Sequence, residues 1–276
     1  MAAMPVQFQK NVVNFFPVTA AREMYEPFHK LKYSFAATYY DQMRQAVPAL
    51  VKEKGAKQIC TMYQDDEFGL EVFRGAEAGL KEAGLQFAEV TTYKRGATDF
   101  ASQMQKLASA KCDFVVMGTI IRETIGGIAT ARRLGFNPTF IGSSAAYTDL
   151  IHKLGGPAMN GFYATMTVQH PYLDEAAQNI RFWANKYKTK FNEDPAVFSA
   201  YGYTMVDLFI QAAQKAGPNL TPDSFIKAMD SMTVPPDMFG APQLKFSSTQ
   251  HLGSDLSRLS QITDGKWKVI SDYVKP

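Results

Sequence analysis

Short apolar runs rich in β-branched residues alternate with amphipathic stretches from Lys57 onward. The amphipathic stretches carry apolar side chains at helical spacing, and Gly84 and Gly135 follow the ends of two of them. This alternation is typical of an α/β fold, in which helices cover both faces of a mostly parallel sheet. The runs predicted to be strands are 58–63, 87–93, 113–118, 139–142 and 161–167.

The segments outside this region show other patterns. Further helices are predicted at 39–54, 174–191 and 196–216 and after Thr221. Residues 259–273 alternate around Asp264-Gly265, a dipeptide that favours a type I′ turn, so we expect a hairpin there. Near the start of the chain, 12–16 is predicted to be one buried strand with no evident partner. An unpaired strand is costly. Therefore either the chain is truncated at its N-terminus, or another copy or another chain supplies the missing strands.

Charge and hydropathy exclude two kinds of partner. The 276 residues include 29 Lys+Arg and 26 Asp+Glu, a formal net charge of +3, and the basic residues form no long run. We therefore expect no nucleic acid partner. The longest strongly apolar run, 114–121, is far shorter than the roughly 20 residues that span a bilayer, so direct membrane insertion is not expected. Residues 1–5 do not resemble an export signal.

Motifs of catalysis and metal binding are missing from the sequence. It has no phosphate loop, dinucleotide fingerprint or nucleophile elbow, so no enzyme activity and no cofactor are predicted. The four histidines are isolated from one another and are predicted to be surface or loop residues rather than metal ligands: His29, His152, His170 and His251. The acidic run 65–67 lies at a predicted helix start, where helix capping is favoured over catalysis.

Two cysteines, Cys60 and Cys112, belong to strands that could be neighbours in the sheet. A disulfide is one interpretation, and two buried thiols are the favoured one.

Four segments resemble, in order along the chain, the leucine/isoleucine/valine-binding protein family. They are 52–59 (KEKGAKQI), 63–69 (YQDDEFG), 96–100 (GATDF) and 131–136 (ARRLGF). Members of this family are type I periplasmic solute-binding proteins of ABC importers. The resemblance implies two doubly wound α/β lobes that trap a small solute in an interlobe cleft, with the importer's membrane subunits as partners.

The same resemblance implies domain boundaries and a compartment. Lobe I is expected at 1–33 and 169–251 and is incomplete, because the family's first βα units have no counterpart here. Lobe II is expected at 34–168 and 252–276. A periplasmic location is implied, with the export signal lost together with the start of the first lobe.

In lobe I, the resemblance points to the loop that follows the opening strand. Thr19, Ala20 and Ala21 would offer backbone N–H groups and a hydroxyl to a ligand carboxylate, and Arg22 could add a charge-assisted hydrogen bond. Thr19 could instead only cap the next turn, and Arg22 could be a solvated arginine. Tyr203 matches a position on the cleft side of a helix, although its apolar helix face favours a core role.

In lobe II, the expected contacts follow three strands. Phe68 would form an aromatic wall in the loop after the first strand, or it could pack as the first turn of the next helix. Ile120 occupies a position that is often aromatic in amino-acid binders. Relatives that hold an α-amino group place an acidic residue where Ser144 stands, because a buried ammonium needs a counter-charge. The expected solute is therefore an apolar or aromatic carboxylate or an amide, with a branched-chain amino acid retained as a candidate.

Two other classes of function remain open from the sequence. A cytoplasmic ligand sensor of the same fold would suit a chain without an export signal, but no output segment is seen. An enzyme on a flavodoxin-like fold is disfavoured by the missing motifs.

Overall fold

The computed structural model describes residues 2–273. By its internal contacts the chain divides into two compact units, Met1–Thr38 with Thr167–Asp255, and Tyr39–Met166 with Leu256–Pro276. The chain passes between the units at 38/39, 166/167 and 255/256. The corresponding boundaries in the sequence prediction are 33/34, 168/169 and 251/252.

The helices and strands alternate through much of the chain. The strands are β1 (Asn14–Phe15), β2 (Lys32–Tyr33), β3 (Ile59–Gln64), β4 (Glu89–Tyr93), β5 (Phe114–Gly118), β6 (Thr139–Gly142), β7 (Tyr163–Met166), β8 (Thr233–Val234), β9 (Leu244–Lys245), β10 (Arg258–Thr263) and β11 (Lys266–Val269). The α-helices are α1 (Met4–Gln9), α2 (Tyr39–Lys54), α3 (Glu67–Glu82), α4 (Ala101–Ser109), α5 (Ile121–Arg133), α6 (Asp149–Gly155), α7 (Gln178–Phe191), α8 (Val197–Ala216) and α9 (Pro222–Met229).

The second unit is built on a seven-stranded sheet in the order β11-β10-β7-β6-β5-β3-β4. Strands β4, β3, β5, β6 and β7 pair in parallel. The chain moves outward from β3 to β4 and then returns past β3 to β5, β6 and β7, which reverses the direction of winding. The predicted α/β class with a mostly parallel central sheet is confirmed.

Local sequence explains the centre of this sheet. All five residues of β5 are buried, as expected for a continuous apolar run between two layers of helices. Helices α2 and α3 pack closely because glycines face the α2 backbone. A Cβ at Gly75 would lie 2.3 Å from the carbonyl oxygen of Tyr40, and one at Gly79 would lie 2.2 Å from that of Arg44.

A disulfide joins Cys60 to Cys112, so the expectation of two buried thiols is wrong. Cys60 lies in β3, and Cys112 lies two residues before β5. These strands are neighbours with Ile59 opposite Phe114, which leaves the two cysteine Cα atoms 5.9 Å apart, within the range that a disulfide bridges. The bond depends on the pairing register, because the register brings the two cysteines close together. The sequence alone did not reveal this register.

The predicted terminal hairpin is confirmed as β10 and β11, which pair antiparallel. Asp264 and Gly265 have φ values of 52° and 71°, the positive φ at both central residues that a type I′ turn requires. Strand β10 also pairs antiparallel with β7, so the hairpin extends the main sheet. The indole nitrogen of buried Trp267 donates to the carbonyl oxygen of Thr148 at 2.8 Å, which fastens the hairpin to the segment before α6.

In the first unit, the opening strand has a partner, contrary to expectation. Only Asn14–Phe15 is extended as β1, and it pairs in parallel with β2. The connection between them brings the chain back to the end at which β1 begins, so both strands run in the same direction. This local pairing has no sequence signature. Helix α7 begins at Gln178, later than predicted. The core of this unit collects large apolar side chains, including Phe16, Leu31, Tyr33, Phe225, Met229 and Phe246.

Three of the four histidines are buried, whereas the prediction was of surface or loop residues. His170 and His251 lie in loops but are 2% and 1% exposed, and His152 lies within α6. Burial is tolerated at His251 because both ring nitrogens have partners. Nδ1 is 2.7 Å from the carbonyl oxygen of Lys32, and Nε2 is 3.0 Å from a carboxylate oxygen of Asp230.

Candidate functional site

The carboxyl edge of the five parallel strands gathers three of the predicted site residues. Phe68, Ile120 and Ser144 follow β3, β5 and β6, which are adjacent in the sheet. Parallel strands end at the same edge, and ligands of open α/β sheets bind there, beside the point where the winding reverses. The structure therefore assembles one group of candidate contacts within the second unit.

Ser144 is held by the side chain of Gln42, which in turn accepts a hydrogen bond from Thr165. Gln42 of α2 donates from Nε2 to the Ser144 hydroxyl at 2.9 Å and accepts the Ser144 backbone N–H at Oε1, also at 2.9 Å. The Thr165 hydroxyl of β7 donates to the same Oε1 at 2.8 Å. Gln42 and Thr165 are buried, and Ser144 is half-buried. Gln42 is not among the contacts predicted from sequence, although a polar residue on the buried face of an amphipathic helix was a usable signal.

Ile120 precedes α5 as its N-cap residue, without a side-chain cap. Its carbonyl oxygen accepts from the Thr124 hydroxyl, and that hydroxyl also lies 2.5 Å from the hydroxyl of buried Thr119. These hydrogen bonds tie the start of α5 to the end of β5. The half-buried Ile120 side chain is thus an aliphatic surface on a well-supported backbone.

Phe68 lies in the first turn of α3 rather than in a loop, which favours the helix-packing alternative. Its ring meets that of Tyr39 edge-on, with centroids 5.1 Å apart. Asp66 caps this helix by accepting the backbone N–H of Gly69 at 3.2 Å, so the predicted capping role of the acidic run is confirmed. Phe68 remains half-buried at the sheet edge.

Three carboxylates at this edge have basic partners. The ion pairs are Asp65 with Lys94, Asp66 with Arg95 at 2.6 Å, and buried Glu123 with Arg122 at 3.2 Å. Burial acts to raise the pKa of Asp66, but hydrogen bonds from Arg95, the Gly69 backbone and Gln64 outweigh it and hold that pKa below its ordinary value. The negative charges of Asp65, Asp66 and Glu123 are therefore compensated within the protein.

In the first unit, residues 19–22 follow β1 as an irregular segment. Thr19 is exposed, whereas Ala20, Ala21 and Arg22 are half-buried. Ala21 precedes a 3₁₀ turn at Arg22–Met24 and its carbonyl oxygen accepts from the Met24 backbone N–H at 3.0 Å. The role of this segment in binding stays a prediction.

Tyr203, on α8, is 47% exposed, so the interpretation as a core residue is wrong. Its ring lies edge-on to Trp183 and Phe239, at centroid distances of 5.5 and 6.0 Å. It lines a cavity of about 400 Å³ with Trp183, Tyr187 and Phe191.

Within residues 2–273, no cluster of three or more His, Cys, Asp or Glu side chains is arranged to hold a metal ion. Nor does any helix in that range have the length and apolar character needed to cross a bilayer.

Comparison with known proteins gives consistent matches. The sequence profile of the periplasmic binding protein family matches residues 1–266. Leu/Ile/Val-binding protein homolog 8 of Brucella abortus (strain 2308) is 22% identical over 192 residues, which are 68% of this chain and 47% of that protein. The chain thus spans about half the length of the curated relatives it matches.

Two solved structures share the fold. A branched chain amino acid ABC transporter from Thermus thermophilus with bound valine has a TM-score of 0.86 at 16% identity, covering all of this chain and 75% of that one. The fatty acid ABC transporter substrate-binding protein from Thermomonospora curvata has a TM-score of 0.84 at 19% identity, covering all of this chain and 72% of that one. With the profile match over nearly the whole sequence, these similarities establish the predicted relationship: the chain belongs to the periplasmic binding protein family.

Proposed function

We propose that this protein is the extracytoplasmic solute-binding component of an ABC importer. It captures a small apolar or aromatic carboxylate or an amide, and a branched-chain amino acid is the less favoured candidate. Family membership supports the binding role, since the relatives named above are described as binding or transport proteins. The solute leaves chemically unchanged, so the protein acts by capture rather than by catalysis.

The observation that carries the choice of solute is Ser144 at the carboxyl edge of the main sheet. Its side chain is a neutral hydroxyl, and the neighbouring carboxylates of Asp66 and Glu123 are already paired with arginines. An ammonium group withdrawn from water beside Ser144 would meet this neutral hydroxyl instead of a counter-charge, which is unfavourable. Phe68 and Ile120 supply apolar surface to the body of the solute. The Thermomonospora neighbour, described as a fatty acid ABC transporter substrate-binding protein, supports an apolar acid as the solute.

The disulfide supports an extracytoplasmic location. Disulfides persist in oxidising compartments and are rare in the reducing cytoplasm, and both cysteines of the Cys60–Cys112 bond are buried. This disfavours the cytoplasmic sensor. Thr19, Ala20, Ala21, Arg22 and Tyr203 are retained as predicted solute contacts of the first unit.

The test is calorimetric titration with matched pairs of solutes. Leucine and 4-methylpentanoate share one carbon skeleton and differ by the amino group, and benzoate probes an aromatic acid. We expect an acid without an amine to bind at least about tenfold more tightly than leucine, a difference of about 1.4 kcal/mol. Recovery of the unchanged solute, checked by NMR, would distinguish binding from turnover. Leucine binding more tightly than 4-methylpentanoate would refute the choice of solute.

A further inference from the structure

The hydrogen bonds around Ser144 determine whether its hydroxyl can donate to or accept from a group of the solute. Gln42 and Ser144 are 102 residues apart in sequence and meet through two hydrogen bonds, while Thr165 approaches from β7. Each of the three donor–acceptor distances is between 2.8 and 2.9 Å. The three side chains thus form one small network at the carboxyl edge of the sheet.

The orientation of the Gln42 amide follows from one fixed donor. A backbone N–H can only donate, so the Gln42 atom 2.9 Å from the Ser144 nitrogen is the carbonyl oxygen Oε1. The other amide atom, which faces the Ser144 hydroxyl at 2.9 Å, is therefore the NH₂ group. No free choice of amide flip remains, because exchanging the two atoms would set two donors against each other.

The hydroxyl of Ser144 is consequently an acceptor toward Gln42. Accepting a hydrogen bond polarises an O–H group and strengthens it as a donor. Among the described residues, no acceptor is recorded for the Ser144 hydroxyl proton, whereas the Thr165 proton is committed to Gln42. Ser144 therefore presents a hydrogen-bond donor.

We infer that Gln42 is a positioning residue that turns Ser144 into a donor for an acceptor oxygen of the solute, either a carboxylate oxygen or an amide carbonyl. This inference rests on the proposed function and narrows its solute class to molecules with such an oxygen at this point. Gln42 acts through Ser144 and does not itself contact the solute.

The decisive variant is Gln42→Glu. An ionised carboxylate only accepts, so it would still receive the Ser144 N–H and the Thr165 hydroxyl, but it would also capture the Ser144 proton. The probes are 4-methylpentanoate and its neutral amide, 4-methylpentanamide. The introduced carboxylate repels the anionic probe but not the neutral amide, so weaker binding of the amide reports the loss of the Ser144 donor. Gln45→Glu is the matched control, since it places the same charge in the same helix at another buried glutamine.

For 4-methylpentanamide we expect Ser144→Ala and Gln42→Glu each to weaken binding about tenfold, the worth of one hydrogen bond. The double variant is expected to be no weaker than Ser144→Ala, because both changes remove the same donor. With Gln42→Glu, affinity for the amide should recover as the pH falls, since the introduced carboxyl, once protonated, donates as the amide did. The wild type and Gln45→Glu should show no such pH dependence.

Two further measurements keep the inference falsifiable if Gln42→Glu folds poorly. Gln42→Met removes the network without capturing the hydroxyl proton, so its loss of affinity for the amide should be smaller than that of Ser144→Ala. By NMR, the Gln42 side-chain amide protons should exchange slowly in the wild type and faster in Ser144→Ala.

The outcomes separate the inference from the proposed function. If the wild type binds neither these two probes nor benzoate, the proposed solute class is wrong, and slow exchange of the Gln42 amide still supports its hydrogen bond to Ser144. If the probes bind but Gln42→Glu leaves amide affinity unchanged, or the two losses add in the double variant, the inference is overturned. Fast exchange of the Gln42 amide in the wild type would overturn it as well.

Discussion

Removing the Cys60–Cys112 disulfide should destabilise the second unit far more than the first. The bond closes a loop across a sequence separation of 52 residues, and both cysteines are buried. Cys60→Ala with Cys112→Ala is the suitable perturbation, because alanine leaves no polar hydroxyl in these apolar sites.

The expected magnitude follows from the entropy of the unfolded chain. Without the bond, the unfolded state gains the freedom of a loop of this length, which corresponds to a stability loss of about 4 kcal/mol at room temperature. For a unit of this size, such a loss lowers the melting temperature by roughly 8–16 °C.

The two tryptophans allow each unit to be followed separately. Trp267 lies in the hairpin of the second unit and Trp183 in α7 of the first. Denaturant unfolding is monitored by fluorescence in a Trp183→Phe background for the second unit and in a Trp267→Phe background for the first. The double alanine variant should shift only the Trp267 transition, and reductant should shift the wild type to the same position.

Two results would refute this reasoning. A Trp267 transition unchanged by both reductant and the double substitution would show that the bond does not constrain the unfolded chain. Two reactive thiols in the denatured, unreduced wild type would show that the bond is not formed.

Other predictions concern helix α3 and, as a comparison, a glycine in α8. Asp66→Ala should cost about 1 kcal/mol through loss of the N-cap, whereas Asp66→Asn, which keeps the cap, should stay within about 0.5 kcal/mol at neutral pH in chemical denaturation. Because the pKa of Asp66 is lowered by folding, its contribution is complete above the ordinary value of 3.8 and is lost as the pH falls through the lowered value, so Asp66→Asn should lack this part of the acid transition. Equal losses for both Asp66 variants would contradict the capping role. Gly75→Ala should destabilise by about 1–3 kcal/mol, because its Cβ would lie 2.3 Å from a backbone oxygen of α2. Gly202→Ala, in a helix with nothing within 4 Å of the added Cβ, should instead stabilise by about 0.5–1 kcal/mol. A neutral Gly75→Ala in thermal melts would disprove the close helix contact.

The pattern of the sequence was sufficient for the elements of the second unit and for its fold class. Strand β5 was predictable because it is a continuous apolar run, and the type I′ turn because Asp264 and Gly265 themselves carry its φ requirement. In the first unit, helix α8 was predictable from the helical spacing of its apolar residues. The sheet edge that gathers Phe68, Ile120 and Ser144 also followed, since parallel strands end together.

The tertiary structure decided what depends on residues distant in sequence. The Cys60–Cys112 bond requires the register of β3 on β5, and the partner of β1 requires the chain to return at β2. The burial of His251 depends on the acceptors that fold around it. Gln42 belongs to no sequence motif, and its role follows only from its hydrogen bonds with Ser144 and Thr165 in the folded chain. Hydrophobic periodicity indicates which face of a segment is buried, but not which distant residue that face will contact.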